Sequence, residues 1–298
     1  MSQTLKQLSY ICAVRELGSF AKAAQKMNIS QSSVLAAVDA AEEEFGFQIF
    51  SRQKGRGVIV TPAGDKFIAA AQRLLSAESE FNREVQSESL TRGELRLGLY
   101  QPFSSILIVD VLTRLRAELT DISIELFEAD QPSLKRMLDK GEVDIILVYD
   151  LGPDFNGTIE QIGRSTPHAI VPITHPLARK QSISIDEIVN YPVMLLNMPI
   201  TVTYNMMMFD FAKKRPNFVF KSQNYDTIIR AVSAGFGVAV LNLWPREPLS
   251  IEAQTLRIPI IEKLPGANII TVDHYGDMRP KSVEIFLKVL KQYFIDVF

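Results

Sequence analysis

"GSFAKAAQKMNISQSSVLAAV", residues 18–38, is the stretch on which the reading of the first sixty residues turns. Gly18 ends one helix and Ser19 caps a second, Phe20 to Met27. Asn28-Ile29-Ser30 is a polar break, and Ser30 caps a third helix, Gln31 to Phe45, which Gly46 stops. Two short helices joined by a tight turn outline a helix-turn-helix, a shape suited to the DNA major groove. Val34, Val38 and Ala41 fall at i, i+4 and i+7, so that face packs inward; the opposite face is read as Ser32, Ser33, Ala36 and Ala37.

Upstream, Leu5 to about Leu17 forms a helix with the apolar stripe Leu5, Leu8, Cys12, Val14, in which Cys12 reads as a buried small hydrophobe. Downstream, "FQIFSRQKGRGVIVTPAG" (47–64) holds two short β-like runs, Ile49–Arg52 and Val58–Thr61, around a basic tip flanked by glycine. It reads as a wing beside the helix-turn-helix, with Arg52, Lys54 and Arg56 as phosphate contacts. Pro62 then opens a long helix that runs to about Ser89. Along it Phe67, Ala71, Leu74, Glu78, Phe81 and Val85 alternate steps of four and three. Such a narrow seam seeks a partner helix, so a dimer is expected.

From Gly93 strands and helices alternate: "ELRLGLY", a helix over Ser104–Leu119, "ISIELFEA", a helix over Ser133–Lys140, "VDIILVY". This βαβαβ run signals a parallel sheet with crossover helices. A second run follows with "HAIVPI", "PVMLL", "NFVFKSQ" and "GVAVLN" as strands and helices between them. The strand "NIITVDHY" and the helix Lys281–Phe294 are read as returning to the first lobe. The expected domains are 1–61 (winged helix-turn-helix), 62–92 (linker helix), 93–163 with 268–298 (lobe I) and 164–267 (lobe II).

Composition narrows the class. With 47% hydrophobic and 22% charged residues the chain has the balance of a globular protein. No apolar run approaches a membrane span and the start lacks a signal-peptide core, so a cytoplasmic protein without membrane contact is expected. Cys12 is the single cysteine, which excludes an intramolecular disulfide and a Cys-rich metal site. His168, His175 and His274 are scattered without ligand-like spacing, so no metal is expected. Net charge is −2, yet residues 1–61 hold seven Lys/Arg against five Asp/Glu, a surplus of two. Cations therefore gather at the end expected to meet DNA.

The motifs "GSFAKAAQKMNISQSSV", "EEEFGFQIFSR", "VIVTPAG", "GEVDII", "HPLA" and "AVSAGFGVAV", in this order and spacing, resemble those of the LysR-type transcriptional regulators across essentially the whole chain. The resemblance implies a homotetramer that binds double-stranded promoter DNA through a winged helix-turn-helix. It also implies a two-lobed α/β domain like periplasmic binding proteins, with a small co-inducer between the lobes, no other cofactor, and RNA polymerase as a further candidate partner. On the DNA side it points to Ser30, Gln31, Ser32, Ser33, Ala36, Ala37, Arg52, Lys54 and Arg56. Where the family usually has a polar trio after "SQxxV", this chain has Leu35-Ala36-Ala37, which offers only apolar contact, for example to thymine methyls, unless Leu35 packs internally.

For the cleft, the family's effector positions fall on Gln101-Pro102-Phe103-Ser104, read as a loop before a helix N-terminus. They fall also on Gln131 after the second strand, on Asn197, Pro199 and Thr201, and on Tyr225 and Asp226. Crevices at strand ends are where open α/β sheets bind ligands. A small polar or carboxylated metabolite is expected there. Two other readings stay open: a two-lobed α/β enzyme, against which stands the absence of a nucleophile motif, P-loop or paired carboxylates, and a constitutive DNA-binding protein with an empty or locked cleft.

Overall fold

The computed structural model describes residues 3–53, 57–86, 93–119, 122–243 and 254–297. They form two compact units, one built on residues 1–90 with short segments 139–142 and 274–277, the other on the remainder.

In the first unit α1 (Leu5–Leu17) starts in a capping box between Thr4 and Gln7 and ends at Gly18, whose φ is +61°. Ser19 caps α2 (Phe20–Lys26), and Asn28 turns the chain with φ +53°, a conformation asparagine tolerates better than most residues. Ser30 caps α3 (Gln31–Phe45), and Gly46 closes it at φ +72°. Ile11, Val14, Ala23, Val34, Ala41, Ile49 and Ile68 are fully buried together. The wing pairs β1 (Phe50–Gln53) with β2 (Gly57–Val60) antiparallel, Arg52 opposite Val58. A carboxylate fastens it to α3: Glu42 Oε1 accepts from Ile49 N at 2.7 Å and Phe50 N at 3.0 Å. The long helix α4 (Pro62–Gln86) starts against the wing, where a Cβ on Gly64 would lie 2.1 Å from the Ile49 carbonyl oxygen. Only glycine fits that approach.

Three expectations are corrected here. Ala37 is 2% exposed and belongs to the core. At 3.6 residues per turn, position 37 lies about 40° from 41 on the flank of the face formed by 34, 38 and 41, not opposite it. Leu35 also packs against that core, so of the trio only Ala36 is exposed. The linker seam divides: Phe67 packs edge-on to Phe45 and Phe47 and Ala71 is buried, whereas Leu74 and Phe81 are 55% and 62% exposed. The side chain of Val85 lies outside the described residues. Cys12 is half-buried against the core rather than fully within it, and burial pushes its thiol up to about 12.

The second unit contains two five-stranded sheets. The first has the order β4-β3-β5-β12-β6, from β3 (Gly93–Tyr100), β4 (Ile122–Ala129), β5 (Ile145–Tyr149), β6 (Thr158–Arg164) and β12 (Asn268–Asp273). Its β3, β4 and β5 are parallel, joined through α6 (Val109–Glu118) and α7 (Gln131–Asp139); β12 runs antiparallel to β5 and β6. The terminal helix α11 (Lys281–Val297) packs on β3, β6 and α6, which returns the chain to this sheet. The second has the order β11-β7-β10-β8-β9, from β7 (His168–Pro172), β8 (Pro192–Leu196), β9 (Asn217–Ser222), β10 (Val238–Leu241) and β11 (Thr255–Pro259). Edge strands β6 and β11 escape the sequence reading because edges need little apolar patterning. "TIEQIGR" is mostly polar, and "TLRIP" carries an arginine and a proline.

Asp144 of the "GEVDII" motif is buried beside β3. Its carboxylate accepts from Arg96 N at 2.7 Å and from the Arg96 guanidinium at 2.8 Å, so the charge is paired and hydrogen-bonded. Among the described residues no helix is long and apolar enough to cross a membrane.

Candidate DNA interface and effector cleft

The first turn of α3 presents Gln31, Ser32 and Ser33, all exposed, with Ala36 one turn further on. Ser30 Oγ accepts from Ser33 N at 3.1 Å and lies 2.8 Å from both the Ser32 and Ser33 hydroxyls. Three hydroxyls thus cluster at a helix N-terminus, where backbone N–H groups and the helix dipole favour a phosphate. Arg52 stands in β1; its side chain, together with Lys54 and Arg56, lies outside the described residues.

The candidate cleft lies between the two sheets of the second unit. No loop separates β3 from the helix after it: α5 (Gln101–Phe103), a π-helical turn (Ser104–Ile108) and α6 form one run. The expected loop Gln101–Ser104 is therefore the first helical turn. Phe103 is fully buried against Tyr100 and Tyr149, with ring centroids at 5.7 and 4.8 Å, and is core rather than a cleft wall. Ser104 is buried and donates to Gln101 O at 2.7 Å, as a serine does when it turns back on its own helix. Gln131 is also spoken for. It opens α7, is fully buried, accepts from Tyr149 N at 2.7 Å and donates to Gly152 O. Asn197 continues the pairing of β8, its N–H donating to Ser222 O, and Pro199 is exposed.

Hydrogen bonds between described residues cross from one sheet's elements to the other's. Tyr100 and Thr201 hydroxyls lie 2.8 Å apart, Tyr225 N donates to Gln101 Oε1 at 3.3 Å, and Ser105 Oγ donates to Asp226 Oδ2 at 3.1 Å. After α8 (Ile185–Ile188), Thr201 begins α9 (Thr201–Met207) and Tyr225 begins α10 (Tyr225–Ser233). Thr201 is set by strained backbone. Ile200 has φ +67°, and Thr201 N bonds back to Pro199 O at 2.8 Å, a γ-turn of the rare, high-energy hand.

Between these bridges is a cavity of about 20 Å³, room for about one water molecule. Tyr100, Pro102, Ile106 and Tyr149 line it from one side; Leu196, Thr201, Asn205, Tyr225, Leu241, Asn242 and Leu243 line it from the other. Of the expected effector residues it takes Pro102, Thr201 and Tyr225, while Gln101 and Asp226 make the bridges. Tyr100, Tyr149 and Asn242 were missed, although Tyr100 and Tyr149 end β3 and β5 and Asn242 follows β10. Their place at strand ends facing a crevice is the signal in the sequence that marks them, whereas the resemblance points to their neighbours. Burial raises the Tyr100, Tyr149 and Tyr225 phenols well above their ordinary value, so they stay protonated.

The histidines lie apart from this cavity. His168 is fully buried on β7 and held down to about 3 by burial, His175 caps a 3-10 turn, and His274 is buried 3.2 Å from Asp139. Among the described residues no cluster of three His, Cys, Asp or Glu could hold a metal ion.

Comparison with known proteins matches residues 5–65 to the family "Bacterial regulatory helix-turn-helix protein, lysR family" and residues 88–295 to "LysR substrate binding domain". Similar proteins include the HTH-type transcriptional regulator LrrA of Synechococcus elongatus, 28% identical over 97% of this chain and 96% of that one. TtuA of Agrobacterium vitis is 29% identical over 80% of each. Among solved structures, the PA01 protein of Pseudomonas aeruginosa superposes with TM-score 0.60 at 25% identity, over 98% of this chain and 99% of that one. Full-length BenM shares the fold, at TM-score 0.57 and 20% identity over 98% and 97%. With both family matches in sequence order and together spanning most of its length, the chain belongs to the LysR family of transcriptional regulators, DNA-binding proteins with an effector-binding domain of two α/β lobes.

Proposed function

We propose that this regulator is a cytoplasmic homotetramer, without catalytic activity, that grips promoter DNA through the first turn of α3 and the wing. A small molecule taken between the two lobes then alters how the DNA is held and presented to RNA polymerase. The observation that carries this reading is the cavity walled by both lobes and spanned by the Tyr100–Thr201, Gln101–Tyr225 and Ser105–Asp226 bonds. A molecule touching both walls shifts the lobes by its differential affinity for their arrangements, and a few kcal/mol suffices for a switch. The exposed Leu74 and Phe81, one heptad apart on α4, support dimerisation through that helix. Neutral cleft walls support binding rather than catalysis, and Cys12, the sole cysteine, lies in α1, so the lobes hold no thiol for redox sensing.

The test is a footprint of the full chain on the DNA upstream of its own gene, with and without metabolite fractions from its host. An extended or shortened footprint in one fraction is expected, and it should vanish when Thr201 is replaced by a bulky leucine. A second reading, constitutive DNA binding, has one observation behind it: the cleft is bridged directly and its cavity is small. Footprints unchanged by every fraction would favour it.

A further inference from the structure

The cavity's chemistry restricts what it can take. Its eleven wall residues carry no formal charge: three tyrosines, a threonine, two asparagines and five apolar side chains. One feature that would draw an anion, the N-terminus of α10, is already occupied. At the N-terminus of α10, Tyr225 N donates to Gln101 Oε1 and Thr227 N donates to Asn224 Oδ1 at 2.9 Å, both neutral oxygens of the protein. Beside them Asp226 places a carboxylate, which would repel an anion. Arg257, whose charge acts on Tyr225, is not part of the wall.

One polar atom is left over. Asn205, 5% exposed, donates its Nδ2 to Leu196 O at 3.1 Å, which leaves its Oδ1 facing Asn242 Nδ2 at 3.5 Å. That arrangement fixes which way the Asn242 amide points. Asn242 Oδ1 is then shut off from solvent with no hydrogen-bond donor among the described residues. A buried acceptor in this position calls for an O–H or N–H.

Taking the cleft as the effector site, we propose that the effector is a small uncharged molecule with a hydrogen-bond donor: an alcohol, a primary amide or a phenol. Its donor meets Asn242 Oδ1, and its apolar part rests on Pro102, Ile106 and Leu241. As the cleft stands the oxygen presents almost no surface to a water-sized molecule, so the donor reaches it as the cleft widens. Because about 20 Å³ is less than the effector needs, its binding parts Tyr100 from Thr201. Effector contacts thus replace a cross-lobe bond, and the effector loosens the lobes instead of drawing them together.

The test uses the full-length protein and two matched pairs, propionamide with propionate and benzyl alcohol with benzoate. Binding is read by thermal shift and by hydrogen exchange. The neutral member of at least one pair is expected to raise the melting temperature at tens of millimolar and to protect residues 196–205 and 238–243. The carboxylates should do neither. Asn242→Leu should weaken neutral binding about tenfold, the equivalent of one net hydrogen bond. Unchanged melting temperature and DNA binding of the ligand-free Asn242→Leu variant separate loss of the acceptor from loss of fold. A carboxylate that protects those same segments overturns the neutral-donor assignment and leaves the cleft reading standing. Protection by a neutral probe confined to other segments overturns both, and silence from both neutral probes overturns the assignment alone.

Discussion

Replacing Gln131 by leucine separates a structural role from a ligand-binding one. The side chain is fully buried, and its two polar ends hold Tyr149 N at 2.7 Å and Gly152 O. Leucine fills comparable space but meets neither group. A buried backbone group left without a partner costs about 1–3 kcal/mol. The Tyr149 N–H sits in the buried interior and bears the full penalty, while Gly152 O is only partly shielded, so the expected loss is about 2–4 kcal/mol. In a domain of about 200 residues each kcal/mol lowers the melting temperature by about 2–4 °C, which places the variant about 5–15 °C below wild type. Calorimetry of the full chain measures the shift, and hydrogen exchange should show the Tyr149 amide losing protection. Because Tyr149 also walls the cavity, effector response should weaken along with stability. A variant that melts within about 1 °C of wild type, keeps its Tyr149 protection and loses only the effector response would refute the reasoning and return Gln131 to the ligand.

Adjacent alanines of α3 should behave oppositely. Ala36→Glu, on an exposed site, should leave the melting temperature unchanged and weaken DNA binding about tenfold or more by opposing phosphates, whereas Ala37→Glu should destabilise the first unit by about 3 kcal/mol or more by burying a charge; calorimetry and gel shift distinguish the two. Leu74→Asp should leave the fold intact and separate the dimer, seen as a lower sedimentation coefficient; unchanged sedimentation would return Leu74 to a solvated face. The buried His168 should make stability depend on pH. Its folded value of about 3 lies below the ordinary 6.5, so between these limits the unfolded chain binds the extra proton, and stability is full above about 6.5 and falls as pH falls towards 3. At about pH 5 the loss should be about 2 kcal/mol in urea titrations, and His168→Phe should flatten that slope.

Much of the architecture is legible in the residues alone because it rests on short-range chemistry. Ser19 and Ser30 cap helices three residues ahead of the amides they accept from, and Gly18 and Gly46 adopt the left-handed backbone that ends a helix. The run from "ELRLGLY" to "VDIILVY" implies parallel strands because each crossover is a recognisable helix. What a side chain does after its element forms is another matter. That Ala37 faces the core was within reach of helical periodicity, but the burial of Phe103 depends on Tyr149, forty-six positions later, and Gln131 is claimed by backbone groups of 149 and 152. The cavity itself joins Tyr100 to Thr201 and Gln101 to Tyr225 across separations of 101 and 124 residues. Local propensity carries no term for such pairs. Only the packing of two sheets brings three tyrosines and an unanswered asparagine oxygen to one place, and the closeness of that packing limits what can bind there.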